Sequence, residues 1–515
     1  MIITIYGASG NLGIPALEEI LKLDFVSKVI LLLHRKKSSD RLIKHFKKQS
    51  DRLEFIYGSI SDIDVIRKTL EGTDIVINLA GVIPPTSDKN PKLAIEANEI
   101  GPKVICQAIS EIKENQPKLI HISTFAIYGH RTYKHIYVEV GDPLLVCPFD
   151  IYGITKMRGE FTVLESDVEN WVVLRQAAVL YDELMKKNTN DGLMFQTCFN
   201  SPIEWVTAHD TAVLLRNIII KENRGFLDTL NFWKKCFNIA GPKENAITGY
   251  ETLEKGFSII GGKTNKFFKP NYNSLRNFHT AFFKDRNRLE ELFNYQHDTV
   301  DDFWKGVEKK YPLYKLGRIL PSSWIRKMVI DPLLKDEMAP HYWYKNNDTA
   351  RMIAYFGSKE TFENIPSDWK DFNLYINNKG DDGEDINFEN IKNEPNTLDA
   401  FFDPTKEDKD IDIEDLSNVA DAHGGRLVSA SFTKGDMYAK LVWLDQDGNE
   451  FTARPYSILR CGHWHNPSYD KYVWDFDRLS KGDKIYASIW YDSHKEDEDN
   501  FYYFDEQFKA KIGGQ

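Results

Sequence analysis

Tyr152-Gly-Ile-Thr-Lys156 sets a phenol and an ammonium four residues apart. On a helix those positions share one face. A free phenol titrates near ~10 and is a poor acid–base at neutral pH. A neighbouring cation favours the phenolate and lowers that value. The pair therefore predicts a proton carrier, able to give a proton to a carbonyl oxygen or to take one from a hydroxyl. A second feature stands at the amino end. Gly7-Ala-Ser-Gly10-Asn-Leu-Gly13 follows an apolar run and opens an amphipathic one. Glycines there let the backbone turn sharply and approach a pyrophosphate, while the helix start offers its free N–H groups to the phosphates. A third is the basic run Arg35-Lys36-Lys37, which suits an additional phosphate.

These groups need a scaffold, and the hydropathy pattern supplies one. Ile2–Tyr6, Val29–Leu33, Leu53–Tyr57, Ile75–Leu79, Leu119–Ser123 and Trp171–Arg175 are short apolar runs, the mark of strands buried on both faces. Helical patterns lie between them at Leu12–Leu23, Asp64–Glu71, Pro91–Ile112 and Ile151–Leu164. Such alternation predicts an α/β fold, a doubly wound parallel sheet with helices on both faces. A further strand–helix pair is expected at Ile203–Ile218 and a strand at Phe237–Ile239. The expected organisation is a nucleotide-binding domain over 1–240 and a small substrate lobe from 180–205 and 240–330. A connecting region follows over 331–415, then a β-rich domain over 416–515. The stretch from Asp381 to Asp415 holds fourteen acidic residues against three lysines and reads as a solvated linker. Leu441–Leu444 and Glu450–Arg454 flank Asp447-Gly448, a hairpin signal.

The GxxGxxG spacing after the first strand resembles the extended branch of the short-chain dehydrogenase/reductase superfamily, the NAD-dependent epimerase/dehydratase-like proteins. Further matches follow in order: Asp62-Ile63 after the third strand, Asn78-Leu79-Ala80-Gly81 ending the fourth, Asn98-Glu-Ile-Gly101, and Ser123-Thr124-Phe-Ala-Ile-Tyr128-Gly129. Arg175 and the segment Pro202–Ala212 extend the likeness to about residue 310. The resemblance implies a Rossmann fold that binds NAD or NADP. Gly7, Ser9, Gly10, Asn11, Leu12, Gly13, Asp62, Ile63, Leu79, Ala80, Gly81 and Asn98 would line the cofactor. Lys156 would hold its ribose. Arg35 and Lys36 stand where the family chooses its cofactor; no carboxylate occurs there before Asp40, which implies NADP. By register Thr124 would bind the substrate oxygen, with Ser123 taking its place if the register slips by one. Tyr128 would be structural. Glu204 lies near the place where nucleotide-sugar members carry an arginine, and a carboxylate there would repel a diphosphate.

Toward the carboxyl end, Gly424–Ser429, Trp443 and Gly462–His465 follow the order of small treble-clef zinc modules. Asp445, Asn449, His465 and Ser468 fall where the ligands would stand. None is a cysteine, so no metal is expected. Cys461, His463 and His465 alternate and would share one face of a strand. Composition narrows the partners. The formal charge is −11, from 66 basic and 77 acidic residues, and no basic face dominates, which disfavours nucleic acid. Five scattered cysteines without a CxxC pair suit a reducing, cytoplasmic setting. No apolar run of about 18 residues occurs, so no membrane partner is expected. A small-molecule substrate is required, and a homo-oligomer is allowed. Three functions remain open at this level: hydride transfer between NADP and a carbonyl or secondary alcohol, an NAD-dependent epimerase or dehydratase acting on a sugar derivative, or a cofactor-binding sensor or scaffold without turnover.

Overall fold

A computed structural model describes residues 1–184, 191–504, 509, 510 and 512. The expected substrate-lobe segment 180–205 includes positions 185–190, which lie outside the described residues. Five apolar runs form β1 (Ile2–Tyr6), β2 (Lys28–Leu33), β3 (Leu53–Tyr57), β4 (Ile75–Asn78) and β5 (Lys118–Thr124). Trp171–Gln176 and Lys235–Ile239 complete a seven-stranded sheet. Its order is Lys235–Ile239, Trp171–Gln176, β5, β4, β1, β2, β3, and every pairing is parallel. The chain reverses its direction of progress between β1 and β4, where such sheets open a ligand crevice at the strands' carboxyl ends. Tyr6, Asn78 and Thr124 end their strands at that edge.

The central strands are mostly apolar because helices cover both faces, whereas the edge strand β3, expected to be buried on both faces, buries only Leu53. Ile3, Ile5, Leu31, Ile77, Ile120 and Leu174 are buried in one continuous core. Helix α1 (Gly13–Ile20) follows β1, and its Ala16, Leu17 and Ile20 pack inward at helical spacing. The long helical pattern Pro91–Ile112 is realised as Pro91–Ile95, one wider turn at Glu96–Ile100, and Gly101–Ser110. Asn98 sits inside that wider turn. The helix Ile151–Leu164 starts at Asp150, whose carboxylate accepts the Gly153 N–H at 2.8 Å. The strand Pro202–Thr207 lies outside the main sheet, between Ala178–Leu180 and Ala246–Thr248.

The acidic stretch is tied to the body rather than solvated along its length. Asp381 accepts from Asn200 at 2.7 Å and from the Tyr375 hydroxyl. Asp408 pairs with Lys235 at 2.7 Å and with Arg460 at 3.0 Å. Ile411 and Leu416 are fully buried. Carboxylates that find cations and hydroxyls elsewhere in the chain fold with it, a pairing that local composition does not display. Beyond it, Leu441–Leu444 and Glu450–Ala453 form the expected hairpin, with Gly448 at φ +80° in the turn. Arg426–Leu427 adds a third antiparallel strand, and Val473–Trp474 pairs with Tyr502–Tyr503. Helices Ile413–Ala422 and Lys484–Trp490 accompany these sheets. All five cysteines are free and buried. Among the described residues no helix is long and apolar enough to cross a membrane.

Candidate functional site

The glycine loop leaves no room for side chains at its two ends. A Cβ on Gly7, which has φ +81°, would lie 2.6 Å from the Ala80 amide nitrogen. One on Gly13 would lie 2.4 Å from the Gly7 carbonyl oxygen. The loop thus closes tightly on β4's end while Gly10 and Gly81 stay exposed. Leu12 precedes α1 without a side-chain cap, so its first N–H groups face outward from the loop. Ser9, Asn11, Leu79 and Ala80 border the same opening and are partly accessible. The donor set suits a dinucleotide's phosphates.

At the end of β2, Arg35 is exposed and its guanidinium lies over the Tyr57 ring, 4.8 Å from the centroid. Lys36 precedes the helix Lys37–His45 and contributes no side-chain cap. In its first turn the Ser38 and Ser39 hydroxyls are buried without a hydrogen-bond partner. Two unsatisfied hydroxyls beside two exposed cations form a set suited to an anion. Asp62 caps the helix Ile63–Thr69, accepting from Asp64 and Val65 at 3.0 and 3.3 Å through one oxygen. Ile63 lies half-buried next to it.

Asn98 ties the loop after β4 to its neighbours. Fully buried, it clamps Val82 from both sides, accepting its N–H at 2.8 Å and donating to its carbonyl at 3.0 Å. It also donates to Thr155 Oγ1 at 3.0 Å. It fastens the loop after β4 to the helix that carries Tyr152 and Lys156.

The Thr124 hydroxyl lies close enough to the Tyr152 phenol to ease its ionisation. Thr124 Oγ1 also accepts the Ala126 N–H at 3.2 Å. Ser123 is engaged elsewhere, donating to Glu160 at 2.5 Å, which closes the alternative in which it replaces Thr124. Burial pushes the Tyr152 phenol up to about 12; the Thr124 hydroxyl opposes and Asp150 adds to the rise. The expected lowering by Lys156 is not found, because the ammonium points away, donating to the Ile122 carbonyl at 2.6 Å. Burial lowers Lys156 to about 8, against the attraction of Glu160. Tyr128 is structural, as expected: its buried hydroxyl bonds Asn238 at 3.0 Å and Arg175 at 2.7 Å.

Several participants were invisible in the sequence. Asp150 Oδ2 lies 2.6 Å from His279 Nδ1. His279 stacks on Phe278, and its ring centroid is 6.5 Å from that of Tyr152. An aspartate just ahead of a helical pattern is a cap signal that could have singled out Asp150; nothing local marks His279. Glu160 is fully buried and receives hydrogen bonds from Ser123, Arg175 and His463, the last at 2.9 Å. Arg175 also donates to the Cys461 carbonyl at 2.7 Å. Residues 461–463 therefore touch the partners of Lys156 directly. The supposed strand of Cys461, His463 and His465 does not exist. A helical turn, Tyr456–Arg460, leads into it, and His465 turns to Asp445 at 2.9 Å. Asp445 also binds Asn449, so three of the four treble-clef positions converge through hydrogen bonds. Ser468 bonds Asp475 instead.

Glu204 requires a second correction. It is fully buried, 3.2 Å from Arg286 and accepting the Phe283 N–H at 3.2 Å. Its charge is internal and does not repel a substrate diphosphate. A cavity of about 600 Å³ lies beside the start of the Tyr152 helix, bordered by Asp88, Phe149, Trp343, Arg351, Tyr355 and Phe504. Its walls thus come from the amino-terminal sheet domain, from 337–355 and from the carboxyl end. Burial and the charge of Asp150 raise the Asp88 carboxyl to about 6, with Arg351 opposing. A larger cavity, about 980 Å³, lies between Lys235–Phe237 and residues 397–409 and contains none of the candidate residues.

Comparison with known proteins follows this geometry. Residues 3–177 match the model of the NAD dependent epimerase/dehydratase family. A dTDP-4-dehydrorhamnose reductase of Mycolicibacterium smegmatis is 33% identical over 115 residues, 22% of this chain. The chain spans about a third (33%) of the length of that curated relative. Similar solved structures include a UDP-glucuronic acid 4-epimerase from Bacillus cereus, 20% identical, with a TM-score of 0.48 over 61% of this chain and 99% of that one. A dTDP-glucose 4,6-dehydratase from Bacillus anthracis is 16% identical, with a TM-score of 0.48 over 61% and 96%. Residues 3–177 thus match the NAD dependent epimerase/dehydratase family, and the remainder of the chain lies outside that match.

Proposed function

We propose that this protein is an NAD(P)-dependent oxidoreductase acting on a carbonyl or secondary-alcohol substrate, with NADP as its cofactor. The observation that carries the reading is the placing of Tyr152 beside Thr124 at the carboxyl edge of the sheet, with Lys156 one turn on. The glycine loop would hold the pyrophosphate. Arg35, Lys36, Ser38 and Ser39 would hold a ribose phosphate, and Asp62 the adenine side. The bound nicotinamide supplies the hydride.

The chain's own residues handle the proton. A phenol raised to about 12 is fully protonated at neutral pH, which is the form that donates. Tyr152 passes its proton to the substrate oxygen that Thr124 orients. This favours the direction of reduction. Lys156, charged below about pH 8, would hold the cofactor's ribose hydroxyls. His279, held by Asp150, stands beside the phenol as a second polar group for the substrate.

The internal pairing of Glu204 removes the electrostatic objection to phosphorylated sugars, so a second reading stays in play: an epimerase or dehydratase acting on a sugar derivative. The two are separated by the cofactor. Purified protein that exchanges NADPH freely and consumes it with a carbonyl panel supports reduction; stoichiometric, tightly held NAD supports the second. Tyr152→Phe is expected to lower turnover by about 10²–10⁴-fold while cofactor binding, read by NADPH fluorescence, is retained. Undiminished turnover in that variant would falsify the mechanism.

A further inference from the structure

We propose that residues 309–330 form a docking surface for an anionic lipid membrane. Of nineteen exposed large apolar side chains among the described residues, seven fall between 313 and 329. Leu313 and Ile319 are 76% and 80% accessible, and Leu316 and Leu320 are exposed beside them. Trp324, Met328 and Val329 are exposed further along the same segment. A folded chain rarely leaves so many large apolar groups of one short segment in water unless they meet something.

The segment is held in place while offering these groups. It runs as the helical turns Pro312–Ile319, then Ser322–Ile325 continued by Arg326–Ile330. Ile325 and Ile330 are buried in an aromatic cluster with Phe257 and Phe267. Tyr311 and Tyr314 pack near Trp304 and Val307. The inward residues are thus satisfied, and the outward ones are not a frayed end.

Charge identifies the occupant. Between Glu308 and Asp331 there is no acidic residue and there are six cations; Lys310 pairs with Asp182, and Lys315 and Arg318 pair with Glu308, while Lys309, Arg326 and Lys327 have no ion pair among the described residues. Protein–protein interface cores are depleted in lysine, so a second copy fits this interleaving poorly. Lipid fits it well: apolar groups enter the acyl boundary, tryptophan settles at the headgroup level, and long cationic stems reach back to anionic headgroups. The expectation of no membrane partner rested on the lack of a spanning run. An interfacial segment needs none.

The test uses the full chain and vesicles in co-sedimentation. Binding is expected to equimolar phosphatidylglycerol–phosphatidylcholine vesicles, not to pure phosphatidylcholine, with release by high salt. Ile319→Ser with Trp324→Ser should weaken it by about tenfold or more. Arg326→Ser and Lys327→Ser should each cost about fivefold. Unchanged circular dichroism and melting temperature would show that these exposed substitutions leave the fold intact. Absence of binding to either vesicle, or equal binding to both, would overturn the proposal. So would a concentration-dependent dimer in sedimentation velocity that Ile319→Ser abolishes, which would assign the patch to a second copy.

Discussion

Glu160 offers the sharpest quantitative test, because one carboxylate links the helix of Tyr152 and Lys156 to the carboxyl-terminal part of the chain. It accepts from Ser123 at 2.5 Å, from Arg175 at 2.6 and 3.1 Å, and from His463 at 2.9 Å, with no exposure of its own. Glutamine at this position keeps the volume but leaves the Arg175 charge buried and uncompensated. Breaking a buried pair from one side costs about 3–5 kcal/mol. At about 2 °C per kcal/mol for a large domain, Glu160→Gln should lower the melting temperature by roughly 6–10 °C. The pH dependence follows from the carboxyl's own titration. Burial alone would raise it, but Arg175 and His463 outweigh burial and hold it well below the ordinary carboxylate range. Stability from such a group is complete above its unfolded value of about 4.5 and is lost as pH falls toward the folded one. The gap between wild type and variant should therefore be constant from pH 6 to 8 and narrow below about pH 4.5. Differential scanning fluorimetry across that range reads it directly. Adding Arg175→Met to the variant should recover part of the loss, since a paired deletion strands no charge. A penalty under about 1 kcal/mol, or a gap that stays constant into acid, would refute the assignment of Glu160 as the buried counter-charge.

The remaining predictions concern the site itself. Gly7→Ala should abolish cofactor binding in fluorescence titration, since its Cβ would sit 2.6 Å from the Ala80 nitrogen at a positive φ. Arg35→Glu should reduce the NADP-over-NAD preference, read as a ratio of kcat/KM, by about 10–100-fold, the worth of one charge-assisted hydrogen bond. The rate of reduction should fall as pH rises through about 8, because Lys156 is charged below that value and neutral above it. Glu160→Gln should move that limb to lower pH, as Glu160 favours the charged ammonium.

The fold of the first 240 residues is legible because its code is local. Continuous apolar runs such as Ile75–Asn78 announce strands covered on both sides, and the heptad-like spacing of Ala16, Leu17 and Ile20 announces the covering helix. The Asp447-Gly448 turn is legible for the same reason. Tyr152 and Lys156 stand out by their spacing, and Thr124 by the family resemblance. Their electrostatics do not. Lys156 turns to Ile122, and the phenol rises instead of falling, because burial depends on what the fold stacks above it. Glu204 looked like a substrate-facing carboxylate until Arg286, 82 residues on, met it in the interior. Residues 331–515 resisted reading because their partners are remote: Tyr375 with Tyr133, Asp408 with Lys235, His463 with Glu160. No period or spacing encodes such pairings.

The bond between Glu160 and His463 joins positions 303 residues apart. During synthesis the sheet can assemble long before its histidine partner leaves the ribosome. Until then the nascent chain carries an ion pair whose third contact does not yet exist. A chain that stops short of residue 463 keeps its loop and its phenol, yet lacks the imidazole that bonds Glu160.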